Sequence, residues 1–88
     1  MGAGMFRKWV QIAGDIRKYR YIQCPICDNK TIEYLYVGNR LTRIGFLRVW
    51  CSVCLKGIHI SRVSIPNDVN MTDFNDEIHI PDFEQIIP

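Results

Sequence analysis

The sequence has no run of about 20 apolar residues, the length that a membrane-spanning helix needs, so no transmembrane segment is expected. Charged side chains also interrupt the apolar residues near the N-terminus, and no continuous apolar core of a secretory signal is present. In a protein that is not secreted, paired cysteines serve as metal ligands more often than as disulfides. We therefore expect a cytoplasmic protein, although the even number of four cysteines also permits a disulfide framework.

Motifs typical of enzymes are absent as well. There is no glycine-rich loop that could cradle a phosphate, no nucleophile elbow, and no carboxylate pair beside an obvious base. The chain has no internal repeat apart from its two cysteine pairs, and no low-complexity segment. We expect a protein that is not an enzyme and has no small-molecule substrate.

Basic residues are missing from the C-terminal part of the chain. All eleven lysines and arginines lie in residues 1–62, together with only three carboxylates, whereas residues 63–88 carry six carboxylates and no lysine or arginine. Such asymmetry indicates either a nucleic-acid or acidic-surface partner for the basic part, or an acidic tail that makes its own interactions. Two solvated surfaces that partly neutralise each other are the alternative.

The cysteines form two pairs, each with two residues between its members, and no other cysteine is present: Cys24, Cys27, Cys51 and Cys54. Two pairs of this spacing supply the four thiolates of a tetrahedral zinc site. The 23 residues between the pairs slightly exceed the usual spacing, but they read as a hairpin that brings the pairs together. Four thiolates close the site, so His59 and His79 are not needed as ligands and zinc catalysis is disfavoured.

Helical periodicity is confined to the N-terminal residues. Apolar side chains recur at steps of three and four over residues 5–20, at Met5, Trp9, Ile12, Ile16 and Tyr19. The remaining positions of this stretch are largely basic. Residues 1–20 are therefore predicted to carry a basic amphipathic helix, although Gly14 weakens it by about 1 kcal/mol.

Strand signals follow in three places. Residues 31–37, 46–50 and 58–65 are rich in β-branched and aromatic side chains, and Gly38-Asn39 marks a turn between the first two. Prolines in residues 66–88 exclude a long helix there, and residues 78–80 alternate as in a short extra strand. We expect the rest of this acidic tail to be extended or disordered with apolar anchors, and to lie close to the basic body through contacts of Phe74, Ile78 and Ile80.

The two cysteine pairs with their intervening strands resemble the zinc-ribbon class, over residues 21–65. That resemblance implies a three-stranded antiparallel sheet held by one zinc ion, with metal binding coupled to folding because so short a chain cannot build a sufficient core. The glycine common after each second cysteine in this class is replaced by Asp28 and Leu55; Asp28-Asn29 and Gly57 suit the left-handed backbone of such turns. Rubredoxins, which hold iron and transfer electrons, are also similar. The expected architecture is a small zinc-stabilised β domain at 21–65, flanked by a helix at 1–20 and an acidic tail at 66–88.

Two functional hypotheses follow from this architecture. Many zinc ribbons are linked to nucleic acid or transcription, and five residues around the hairpin fit a surface for single-stranded nucleic acid: Arg40, Arg43, Arg48, Tyr34 and Tyr36. Phe46 and Trp50 are interleaved with the arginines in the same way and belong to this predicted surface. The alternative for these aromatics is the small hydrophobic core. The second hypothesis is a protein-interaction adaptor that uses the apolar stripe of the N-terminal helix. Its alternative is a helix that covers one face of the sheet.

Overall fold

The computed structural model describes residues 2–16 and 22–87. These residues form one helix and a single five-stranded sheet whose strands lie in the order β4-β1-β2-β3-β5. The elements are α1 (Gly2–Asp15), β1 (Ile32–Gly38), β2 (Ile44–Cys51), β3 (Lys56–Ser64), β4 (Thr72–Asp73) and β5 (Glu84–Gln85). Within the described residues, no helix is long and apolar enough to cross a membrane.

The three predicted strands are present and form the centre of the sheet. β1 pairs antiparallel with β2, and β2 pairs antiparallel with β3. Their β-branched and aromatic side chains fit this pleated arrangement, in which successive residues point to opposite faces. Leu47 and Val49 of β2 enter the core on one face, which we call the inner face, whereas Phe46, Arg48 and Trp50 lie on the opposite, outer face.

Helix α1 covers the inner face of the sheet. It begins at Gly2, three residues before the predicted start, and ends at Asp15; the predicted helical residues 17–20 lie outside the described residues. Trp9 is fully buried, and Ala13 and Ile16 are nearly so, in one cluster with apolar residues of the sheet. The apolar stripe of the helix therefore completes the hydrophobic core.

The acidic C-terminal segment, residues 66–87, changes the predicted three-stranded antiparallel sheet. It supplies β4, which pairs parallel with β1, and β5, which pairs parallel with β3. The sheet is therefore five-stranded and of mixed orientation. The predicted short strand at residues 78–80 is wrong, because these residues form no strand. The segment pairs instead where its backbone reaches an edge of the central three strands. At β3, for example, Ile86 N–H donates to Gly57 C=O at 2.8 Å.

The C-terminal segment also contacts the outer face, as its charge asymmetry suggests. The Phe74 ring lies 6.2 Å from the Phe46 ring, and the Phe83 ring is stacked on Trp50 at 6.0 Å. Arg43 fixes the start of the segment, since its guanidinium donates to the carbonyl oxygens of residues 65, 66 and 69.

Ion pairs of Asp76 with Arg40 and of Glu84 with Lys56 bring the acidic segment close to the basic body, as expected. Phe74 is one of its contacts, whereas Ile78 and Ile80 are not among the residues packed on the core.

Candidate metal centre

The two cysteine pairs lie on turns of closely similar backbone geometry. In the first turn Asp28 N–H donates to Cys24 C=O at 3.0 Å, and in the second Leu55 N–H donates to Cys51 C=O at 3.0 Å. Both donors have positive φ, 63° at Asp28 and 53° at Leu55. The left-handed residue is thus the one directly after each second cysteine. The expectation for Gly57 is wrong, since no glycine of the described residues has positive φ.

These turns bring the four sulfur atoms together. All four Sγ atoms lie within 4.8 Å of one another, and two of the contacts join opposite turns: Cys24 to Cys54 at 3.7 Å, and Cys27 to Cys51 at 3.6 Å. A tetrahedron with metal–sulfur bonds of about 2.3 Å has edges of about 3.8 Å, so the cluster has the size of a zinc–thiolate site. All four cysteines are free thiols, not disulfides.

Hydrogen-bond donors surround the sulfurs, as a thiolate site requires. Backbone N–H groups of Ile26 and Val53 point to Cys24 Sγ and Cys51 Sγ, each at 3.4 Å. The Thr31 hydroxyl lies 3.0 Å from Cys51 Sγ, and the Asn29 amide donates to Cys27 Sγ at 3.3 Å. Such donors stabilise the charged form of sulfur. Thr31 is the residue of this set that the sequence did not single out.

The thiols cannot all ionise without a cation among them. Burial alone would raise the pKa of Cys51, but hydrogen bonds from the Cys54 N–H, the Thr31 hydroxyl and the Val53 N–H outweigh burial and lower this pKa to about 6. Burial and the neighbouring cysteines raise the pKa of Cys54 to about 12. One thiol is therefore readily ionised while another resists. A bound divalent cation removes this conflict because it stabilises all four thiolates.

The cluster is continuous with the hydrophobic core. Cys24 and Cys51 are fully buried and belong to the same cluster as Trp9, whereas Cys27 and Cys54 are half-buried. A closed, four-sulfur site that forms part of a core is suited to holding structure together and offers no open position to a substrate.

The two histidines lie outside the cluster. Arg48 Nε donates to His59 Nδ1 at 3.1 Å on the outer face of the sheet. Burial and the charge of Arg48 lower the pKa of His59, which keeps this imidazole neutral and able to accept that hydrogen bond. His79 lies 3.6 Å from Glu77 in the exposed C-terminal segment.

The positive φ of Leu55 leads to a stability prediction. A leucine in the left-handed region is strained by ~1–2 kcal/mol, and glycine removes this strain. Glycine also gives the unfolded chain more conformational freedom, which lowers the free energy of unfolding by ~0.4–1 kcal/mol. We expect Leu55→Gly to stabilise the metal-loaded protein by about 0.5–1 kcal/mol in urea denaturation. Val53→Gly is the control: Val53 is exposed in the same turn but is not among the positive-φ residues. Equal destabilisation by both changes would contradict the strain at Leu55.

The five residues predicted to contact nucleic acid do not share one surface. Arg40 forms an ion pair with Asp76 at 2.9 Å, and Arg43 is engaged with backbone carbonyls of the C-terminal segment. Arg48 lies on the outer face of the sheet, whereas Tyr36 is buried in the core on the inner face. Tyr34, on the same side of β1 as Tyr36, is partly exposed. Of this set, Arg48 alone combines a cation with neighbouring aromatic rings on the outer face.

Tyr34 and Tyr36 line a separate groove of about 390 Å³, together with Asp68. A carboxylate at this position disfavours the approach of a phosphate. The aromatic residues that do gather around an arginine are Phe46, Trp50 and Phe83, and the last of these is supplied by the C-terminal segment.

Comparison of the chain with models of protein families, with curated proteins and with solved structures finds no match. The class of protein is thus defined by the fold and the site alone: a small β-rich chain with one N-terminal helix, whose four clustered cysteines can hold a metal ion. The arrangement of these cysteines is consistent with a zinc ribbon.

Proposed function

We propose that this chain is a non-catalytic binding module with a structural zinc ion held by Cys24, Cys27, Cys51 and Cys54. The observation that carries the proposal is the convergence of four free thiols within 4.8 Å of one another at the end of the sheet. Four sulfur ligands suit zinc and leave no position for water, so the proposed module is not an enzyme. A reducing compartment such as the cytoplasm suits these thiols.

Iron is the main competitor for a site of four thiolates, and it would make the chain a rubredoxin-like electron carrier. Elemental analysis of protein that is kept reduced throughout purification distinguishes the two. We expect one zinc per chain, and a loss of stoichiometric metal in Cys51→Ser. Stoichiometric iron with visible thiolate-to-iron absorption would support the electron carrier, and the absence of any stoichiometric metal would contradict both.

For the partner, we propose nucleic acid in preference to a protein bound through the N-terminal helix. Within the described residues of the helix, the apolar stripe is not free, because Trp9 is fully buried and Ala13 and Ile16 are nearly so, in one cluster with apolar residues of the sheet. The outer face, by contrast, places the guanidinium of Arg48 5.9 Å from the centre of the Phe46 ring. A cation beside aromatic rings is the combination that holds single-stranded nucleic acid.

Salt dependence tests this choice of partner. Binding of an oligonucleotide through phosphate contacts weakens steeply as salt rises, because bound counterions are released. We expect weak binding that is measurable at low salt and falls as salt is added. Binding that is absent at low salt would contradict the nucleic-acid partner and favour the protein adaptor.

A further inference from the structure

The outer face of the sheet carries an unusually dense group of rings around one cation. His59 is stacked on Phe46 at 5.0 Å, and the guanidinium carbon of Arg48 lies 5.7 Å from the centre of the Phe83 ring. Phe83 in turn is stacked on Trp50, with only 13° between the ring planes. We call Phe46, Arg48, Trp50 and His59 the ring face.

The C-terminal segment covers this face with rings and carboxylates of its own. Phe83, the ring stacked on Trp50, lies between two acidic residues, Asp82 and Glu84. Glu84 lies 3.7 Å from Lys56, and Asp76 lies 2.9 Å from Arg40. A flat ring on Trp50, beside the Arg48 guanidinium and with a carboxylate on either side of it in the sequence, is the pattern that a stacked base and its phosphates would present.

We propose that the C-terminal segment occupies a binding surface for single-stranded nucleic acid, so that the segment and the nucleic acid compete for the ring face. This inference rests on the nucleic-acid partner proposed above, and it names the surface and the element that regulates access to it. A strand of nucleic acid binds when residues 74–83 move off the sheet, stacks a base on Trp50, and places a phosphate beside Arg48.

The contacts that hold the segment over the ring face are weak enough for such an exchange. Both ion pairs are solvent-exposed, a setting in which they contribute little. Strands β4 and β5 have two residues each. Among the described residues, the buried indole N–H of Trp50 has no hydrogen-bond partner, which is unfavourable.

The test measures oligonucleotide affinity in the metal-loaded full chain. Fluorescence anisotropy with a labelled oligothymidylate of about 12 nucleotides, within the usual site size, reports binding at low salt. Phe83→Ala removes the competing ring and raises the fraction of chains with an open ring face, so we expect binding at least about fivefold tighter than wild type. Phe83→Tyr retains a ring on Trp50 and should bind like wild type.

A charge variant tests the same competition without removing a ring. The double variant D76N/E84Q breaks the ion pairs with Arg40 and Lys56, whereas E77Q/D82N changes the net charge equally at two positions that form neither pair. We expect D76N/E84Q to bind more tightly than E77Q/D82N. Metal content and circular dichroism of each variant confirm that it is folded.

Each result separates this inference from the proposal on which it rests. If wild type binds with the expected salt dependence but neither Phe83→Ala nor D76N/E84Q binds more tightly than its control, the segment does not compete and the inference is overturned. If neither wild type nor any variant binds at low salt, the proposed nucleic-acid partner and this inference are both overturned. The proposed metal centre is unaffected by either result.

Discussion

We expect removal of the proposed zinc ion to unfold the region of the predicted ribbon, residues 21–65. The sheet is small, and ordering its backbone costs ~1–2 kcal/mol per residue, which the apolar area of so short a chain cannot offset alone. Apparent binding energies of structural zinc reach ~10–16 kcal/mol in small zinc domains, so we expect the proposed zinc ion to decide whether the chain folds. Circular dichroism during titration with a strong chelator, under reducing conditions, should show loss of the strand signal. Zinc added back should restore it.

Substitutions of single cysteines should reproduce this loss from either turn. Cys24 and Cys51 are equally buried and belong to opposite turns of one cluster. We therefore expect Cys24→Ser and Cys51→Ser to be equally damaging, whereas Ser52→Ala, beside a ligand at an exposed position, should retain metal and structure. Circular dichroism that stays unchanged after complete metal removal would show that folding does not depend on the metal.

Truncation of Trp9 should be the most damaging change outside the metal centre. Its side chain is fully buried between the helix and the inner face of the sheet. Replacing a buried tryptophan with alanine typically costs about 3–5 kcal/mol, because apolar burial is lost and a cavity remains. Urea denaturation of the metal-loaded Trp9→Ala variant should show a loss of this size.

The neighbouring residue provides a matched control for this change. Val10 lies in the same turn of helix α1 but is 42% exposed, so Val10→Ala should change the free energy of unfolding by no more than about 0.5 kcal/mol. Similar small losses in both variants would mean that the helix does not pack on the sheet. In that case the apolar stripe of the helix would be free to bind a partner, as the hypothesis of a protein-interaction adaptor requires.

The sequence was sufficient to predict the parts of the fold that have a local signal. The spacing of the cysteines correctly predicted that the four thiols lie together, and β-branched and aromatic runs correctly predicted the three central strands. The two edge strands were not predictable in this way. β4 and β5 have two residues each, and their pairing depends on where the chain meets the edges of β1 and β3.

The residues predicted to contact nucleic acid show that a sequence pattern does not determine which side chains of different strands lie together. Residues 34 and 36 share one side of a strand, as expected from the period of two, but which cross-strand neighbours they join depends on register. Tyr36 pairs with Leu47, which places it on the inner face and apart from Arg48. The ring supplied by Phe83 comes from 35 positions further along the chain than Arg48, through an arrangement that has no sequence pattern.

The left-handed turn residues show that backbone geometry can override residue preference. Glycine is the usual residue at positive φ, which pointed to Gly57. The turn instead places Leu55 there, because its N–H donates to Cys51 C=O. Gly57 is required for another reason: a side chain at this position would collide with the Val49 carbonyl oxygen on β2.

X-ray absorption at the zinc edge of the metal-loaded, reduced protein tests the central proposal most directly. Four thiolates at the positions of Cys24, Cys27, Cys51 and Cys54 predict a shell of four sulfur atoms at about 2.3 Å, with no nitrogen or oxygen ligand. A shell with fewer than four sulfurs, or one that includes nitrogen from a histidine, would contradict the closed four-cysteine site on which the account depends.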